Sequence, residues 1–321
     1  MKVGFIGLGN AGGKLAGSLL RNGYDLTVRD LNESFVADFV ARGAKSANSA
    51  KETAQNCDVI ITCLPSPQIC SEVMEAADGV LAGISKGKIW LEMSTTDEAE
   101  IRRIGALVKE KGAMPVDCPV SGGCHRADTG NISIFAGCTR ETFEIVLPIL
   151  TTMGRRILHT GGLGSASTLK VMTNYLATVN LASIAEALTT MKLIGVDMNV
   201  TYEAIKASSG NSFVHETESQ VILNGSRDIS FTMDLVSKDV GIFNELAQRK
   251  GLNLEIAPLI VDIFKDGEKR YGSRELSPNI IKRLEEAASV EVLGRGFPPE
   301  MIDDEPEESG YEVVINNRQD I

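Results

Sequence analysis

The feature that most constrains this chain is the run between Gly164 and Gly195, which contains neither glycine nor proline. It is about twice the length of an average helix. Ser165 or Ser167 can cap its start and Gly195 can end it. Lys170 is its only charge before Glu186. Lys170 and Asn174 stand four apart, so both project from one helical face. Before this run the pattern alternates strand and helix; after it the pattern is nearly all helix. A long helix carrying an isolated lysine at a change of architecture is the candidate working centre.

A chain of 321 residues fits two domains with real cores. Its net charge of -11 is unevenly spread. Residues 300–312 hold seven acidic side chains and no basic one, so the rest of the chain is close to balanced. No dense Lys/Arg stripe exists to neutralise phosphates, which argues against a nucleic-acid partner. The strand pattern begins at Lys2, leaving no room for a signal peptide. The longest uncharged part of the central run is 15 residues and includes two Asn, too short and polar to span a bilayer. A soluble, cytoplasmic protein without a membrane partner is expected. The six cysteines show no CxxC pair and no zinc spacing with the three histidines, so buried reduced thiols are expected and no metal.

Residues 2–30 read KVGFIGLGNAGGKLAGSLLRNGYDLTVRD. An apolar strand from Val3 to Ile6 enters Gly7-Leu8-Gly9-Asn10-Ala11-Gly12, and a helix pattern follows from Gly13 to Arg21. Gly7 permits a tight turn, Gly9 lets a pyrophosphate approach the backbone, and Gly12 allows helix to pack on strand. A second strand, Asp25 to Val28, leads to Asp30, 18 residues beyond Gly12 and suitably placed to bind ribose hydroxyls. A carboxylate there favours NAD over NADP, and strand alternation should point Arg29 away from it. An S-adenosylmethionine cradle is a minor alternative.

The alternation continues through helix 33–41, strand 58–62, helix 67–77, strand 88–92, helix 97–110 and strand 113–116. This implies a Rossmann-type, doubly wound parallel sheet with its ligand at the carboxyl edge. Leu64-Pro65-Ser66-Pro67 and Met93-Ser94-Thr95-Thr96 follow two of its strands, where they can meet a cofactor or simply turn the chain, with Ser94 to Thr96 capping the next helix. Ser121-Gly122-Gly123 can offer a hydroxyl and backbone N–H groups to an anion, or be a flexible turn. The helical segments 199–208, 214–223, 232–250, 255–270 and 277–289 cannot extend a sheet, so an all-α second domain is expected. Lys238-Asp239 lies within one of them; His215 and Ser208 to Phe213 carry weaker signals. The expected division is 1–162, 163–293 beginning with the interdomain helix, and an acidic tail, 294–321, with the Pro and acid enrichment of a mobile or partner-docking segment.

These pieces, in this order, resemble the β-hydroxyacid dehydrogenase family, which includes 3-hydroxyisobutyrate dehydrogenase and tartronate semialdehyde reductase. The resemblance covers roughly residues 1–290 and rests on FIGLGNAGG, CLPSP, EMST, DCPVSGG, GGLGSASTLKVMTN and Lys238-Asp239. It implies NAD-dependent interconversion of a small 3-hydroxy acid and its semialdehyde or keto acid. In that reading Leu64, Pro65 and Thr95 line the dinucleotide. Ser121, Gly122 and Gly123 hold the substrate carboxylate, Lys170 is the catalytic lysine with Asn174 beside it, and Lys238 reaches cofactor or substrate. A homodimer or homotetramer packed through the second domain is the family-level expectation. Ala166 replaces a common glycine, and His125-Arg126 stands where small or apolar residues are frequent. The extra positive charge points to a substrate more acidic than 3-hydroxyisobutyrate.

For Lys170 to act as a base its pKa must fall from about 10.4 toward neutrality. Apolar burial, the nearby positive helix end and an oxidised nicotinamide all push that way. An imine reductase-like enzyme and a non-catalytic dinucleotide-binding scaffold are the alternatives. The intact Lys170, Asn174 and Ser121 argue against the scaffold, and the lysine with its carboxylate turn fits hydroxy acids better than imines.

Overall fold

A computed structural model describes residues 1–316. The chain forms two compact units: Met1–Lys170 together with the segment from Asp304, and Val171–Asp303. Residues 294–303, expected in the tail, therefore group with the second unit.

The first unit is built on one sheet of ten strands: β1 (Lys2–Ile6), β2 (Asp25–Arg29), β3 (Lys45–Ser46), β4 (Val59–Thr62), β5 (Ile89–Glu92), β6 (Met114–Asp117), β7 (Val120–Ser121), β8 (Ser133–Gly137), β9 (Arg156–Gly161) and β10 (Tyr311–Glu312). Their order is β10-β9-β8-β6-β5-β4-β1-β2-β3, with β7 paired to β8. Helices α1 (Asn10–Arg21), α2 (Glu33–Ala41), α3 (Ala50–Asn56), α4 (Pro67–Glu75), α5 (Glu98–Glu110), α6 (Cys124–Thr129) and α7 (Arg140–Met153) connect them. The strands are buried on both faces because neighbouring residues feed different cores. Phe5, Ile61 and Leu91 join one cluster with Leu15, Leu19 and Phe143; Ile6, Ile60 and Trp90 join another with Met74 and Ile104. The chain leaves β1 toward β2 on one side and toward β4 on the other, so the switch point lies between β1 and β4.

The expected parallel sheet holds from β1 to β6. Beyond it, β8 meets β6 antiparallel at Asp117↔Gly137, and β9 and β10 run parallel to β8. β3 and α3 are too short and polar to show a period, whereas α7 buries Phe143, Val146, Leu150 and Met153 at helical spacing. Helix α5 is capped by Asp97, which accepts from the amides of Ala99 and Glu100, instead of by Ser94 to Thr96.

Helix α8 (Ser165–Ile194) spans 30 residues without a break. In the second unit its later turns pack with α9 (Met198–Lys206), α10 (Phe213–Asn224), α11 (Met233–Arg249), α12 (Ile256–Tyr271) and α13 (Lys282–Ala288). Leu181, Leu188, Val236, Val240 and Phe264 are among the side chains of that core. Among the described residues no helix is long and apolar enough to cross a membrane.

Candidate functional site

The glycine turn after β1 is shaped by close backbone approach. Gly7 has φ +97°, a conformation costly for any residue with a Cβ. A Cβ at Gly12 would lie 2.1 Å from the Gly7 carbonyl oxygen, whereas one at Gly9 would meet open space. Thus Gly12 closes the helix onto the strand, and the chain at Gly9 is accessible to a ligand. The Asp30 carboxylate accepts the Leu8 amide at 2.6 Å and the Asn32 amide at 2.7 Å, tying the end of β2 to this turn. The Arg29 guanidinium, expected to point away, curls back and donates to the Asp30 carbonyl. The turn, the α1 N-terminus and the carboxylate together fit a dinucleotide: amides for the phosphates and an acceptor for ribose.

Two more loops leave the same strand edge, and a buried carboxylate joins them. Glu92 accepts from the Thr62 hydroxyl at 2.6 Å, the Cys70 thiol at 2.9 Å and the Ser94 amide at 2.8 Å. Ser94 in turn accepts the Leu64 amide at 2.7 Å. Leu64 and Thr95, on separate loops, are thereby held in one frame, with Pro65 exposed beside Leu64. Burial pushes the Glu92 carboxyl up, against the pull of its donors. Glu92 lies within the EMST motif, but its side-chain donors Thr62 and Cys70 are 30 and 22 positions away and leave no local mark.

Ser121 ends β7, where it pairs with Ser133 of β8, and Gly122 and Gly123 turn the chain into α6. Gly122 at φ +127° and Gly123 at φ +91° adopt backbone conformations that favour glycine. Arg126, on α6, sits 3.0 Å from Glu305, so the charge expected to select a more acidic substrate is balanced within the chain.

Lys170 lies in the second turn of α8 and is 8 % exposed. The start of that helix is held by neither Ser165 nor Ser167. Asp117, at the end of β6, accepts the Gly164 and Ser167 amides at 2.8 Å each. This long-range cap satisfies two orphan donors at the helix start. It also sets a carboxylate against the positive helix end. Burial pushes the Asp117 carboxyl up to about 6 in spite of its two amide donors. Gly137, opposite Asp117 in the sheet, has no room for a side chain: a Cβ would stand 2.3 Å from the Asp117 Oδ1.

In the second unit α8 and α11 bring three polar residues together. Asp239 is 2 % exposed and accepts the Asn174 side-chain amide at 2.6 Å, while the Lys238 Nζ lies 3.0 Å from its other oxygen. A carboxylate can only accept, so Asn174 turns its NH₂ to Asp239 and its carbonyl oxygen elsewhere. His215 is a satisfied core residue between Ser219 at 3.0 Å and the Tyr202 carbonyl at 2.9 Å.

The NAD-binding domain of 6-phosphogluconate dehydrogenase matches residues 2–161, and the NAD-binding domain of NADP-dependent 3-hydroxyisobutyrate dehydrogenase matches residues 164–284. A 2-(hydroxymethyl)glutarate dehydrogenase of Eubacterium barkeri is 34 % identical over 92 % of this chain and 98 % of its own length. The chain belongs to the β-hydroxyacid dehydrogenase family. It is thus an NAD(P)-dependent oxidoreductase acting on CH–OH groups. Another relative in this family, an NAD-dependent L-serine dehydrogenase of Pseudomonas aeruginosa, is 35 % identical over 88 % of this chain and 97 % of its own. The crystal structure of a 3-hydroxyisobutyrate dehydrogenase from Salmonella typhimurium superposes with a TM-score of 0.80 at 27 % identity, covering 88 % of this chain and 99 % of that one.

Proposed function

We propose that this β-hydroxyacid dehydrogenase oxidises a small 3-hydroxy acid of the 3-hydroxyisobutyrate type to its semialdehyde, reversibly, with Lys170 as general acid and base. The observation that carries the reading is a buried lysine in the second turn of a helix whose start is pinned by Asp117. The acids in the relatives' names share one core, a carboxylate whose α-carbon bears a hydroxymethyl group. They differ only in the other α-substituent: methyl, amino or carboxyethyl. The conserved chemistry of such substrates is a primary alcohol one carbon removed from a carboxylate.

In this reading Ser121, Gly122 and Gly123 receive the carboxylate through their hydroxyl and amides. Lys170 accepts the hydroxyl proton as hydride leaves the carbinol carbon, and returns it to the alkoxide in reduction. Asn174 orients the hydroxyl or the lysine, with its own amide fixed by Asp239, and Lys238 adds positive charge for substrate or cofactor. Gly7, Leu8, Gly9, Asn10, Ala11 and Gly12 hold the pyrophosphate of NAD, Asp30 its ribose, and Leu64, Pro65 and Thr95 line it. The bound dinucleotide supplies the hydride acceptor. Asp30 supports NAD over NADP, because its carboxylate repels a 2′-phosphate. Residues 1–162 serve as the dinucleotide domain and 163–293 as the substrate and oligomer domain. Exposed Leu176, Leu193, Val200 and Leu259 support a homo-oligomer built through the latter.

The deciding experiment pairs Lys170→Ala with a panel of 3-hydroxyisobutyrate, L-serine and 2-(hydroxymethyl)glutarate. NADH binding is retained while kcat falls at least ~100-fold, the scale of general acid–base catalysis. Near-wild-type turnover in the variant overturns the assignment.

A further inference from the structure

The segment from Asp304, whose composition suits a mobile or partner-docking segment, packs within the first unit. β10 adds to β9 in parallel, with Tyr311↔Arg156 and Glu312↔Ile157 in register. Gly310 fits only without a side chain, since a Cβ would stand 2.0 Å from the Gly154 carbonyl oxygen. The acids of this segment meet arginines of the unit: Glu307 with Arg21, Glu308 with Arg155, and Glu312 with both terminal nitrogens of Arg140.

One of these acids reaches the substrate turn. Glu305 pairs with Arg126 of α6 at 3.0 Å and with Arg156 of β9 at 3.3 Å, while its carbonyl accepts the Asn131 side-chain amide at 2.8 Å. The Arg126 stem lies against the turn: a Cβ at Gly122 would be 3.4 Å from the Arg126 Cδ. The Arg126 carbonyl receives the amides of Asn131 and Ile132 at 2.8 and 3.0 Å. Helix α6 has only six residues, too few to hold its shape without tertiary ties. From α1, Lys14 and Arg21 tie its other end at Asp128. Glu305 supplies a further tie, at Arg126.

We propose that the C-terminal segment is a strap and that Glu305 is a positioning residue, fixing α6 and hence the Ser121-Gly122-Gly123 turn through Arg126 and Asn131. This rests on the reading of that turn as the carboxylate site. The side chains of Arg126 and Glu305 are 22 % and 35 % exposed, so the pair is screened in part by solvent and salt.

The test uses the full chain with Glu305→Ala, Glu305→Gln and Gly310→Val, the last dislodging β10 without touching Glu305. Amide hydrogen exchange over residues 120–132 is measured without substrate, alongside kcat, KM and NADH affinity. Exchange there speeds up in all three variants. KM for the hydroxy acid rises about 5-fold, the factor such a partly exposed pair supplies, with kcat and NADH affinity near wild type. Unchanged exchange over 120–132 in Glu305→Ala overturns the strap, and a fall in kcat with KM unmoved overturns the positioning role. If wild type turns over no acid of the panel, the reading of the turn fails, and the exchange measurement still decides whether the strap exists.

Discussion

Two effects compete at Asp117, and a pH-dependent stability measurement decides which wins. The carboxylate is fully buried, which favours its neutral form; it also caps the start of α8 through two amides, which favours the charged form. Burial dominates, raising the pKa from 3.8 in the unfolded chain to about 6. An acid whose folded pKa is raised contributes stability that is fully present below the unfolded value and lost as pH rises through the folded one. Between pH 4.5 and 7.5 the linkage amounts to about 2 kcal/mol lost at Asp117. Asp117→Asn removes this titration and keeps one acceptor. The stability of wild type minus that of the variant therefore falls by about 2 kcal/mol over this range, other carboxylates cancelling in the difference. Trp90 is the only tryptophan in the chain and lies buried in β5, beside β6, so its fluorescence in a urea titration follows this unit. Either a flat difference, showing that the amides cancel burial, or one that rises with pH, showing that they outweigh it, would refute the argument.

Three further outcomes follow from the same geometry. Asp30→Ala removes the acceptor of two amides and, on the proposed reading, of the ribose, so KM for NAD rises at least ~10-fold and the NAD-to-NADP ratio of kcat/KM falls; steady-state kinetics with both cofactors reads this. Asp239→Ala deprives Asn174 and Lys238 of their shared partner, and kcat/KM for the hydroxy acid drops about 10-fold or more; equal values for variant and wild type would remove Asp239 from the site's support. Glu92→Ala leaves three buried donors without an acceptor and costs about 2–4 kcal/mol in denaturant titration, whereas Glu92→Gln, which can still accept, costs less.

What the sequence made legible was whatever its physics writes locally. Gly7 and Gly12 are marked because the backbone there leaves no room for a Cβ, and the periodic helices of the second unit because each buries one face. Asp117 and Glu92 escaped because Asp117's amide donors lie 47 and 50 positions distant and Glu92's side-chain donors 30 and 22, and a carboxylate in a strand carries no sign of what it will accept. Helix α3 sits in a short, polar stretch, KETAQN, with too few apolar positions to show a period. The acid-rich C-terminal segment looked like solvated chain for the same reason. Its arginine partners, Arg21, Arg126, Arg140, Arg155 and Arg156, are scattered through the first half, and nothing in its own composition announces them.

Because β10 completes the sheet begun by β1, the first unit is discontinuous in the chain, interrupted by the whole helical unit. On the ribosome, β9 emerges long before its neighbour. At synthesis rates of about 5–20 residues per second, the roughly 150 residues from Gly161 to Tyr311 take about 8–30 s. Throughout that interval the outer edge of β9 presents unpaired N–H and C=O groups, the arrangement that recruits foreign strands. Among the described residues the strand made last is therefore the one that covers this edge, and truncation ahead of Tyr311 is felt first as a lower soluble yield.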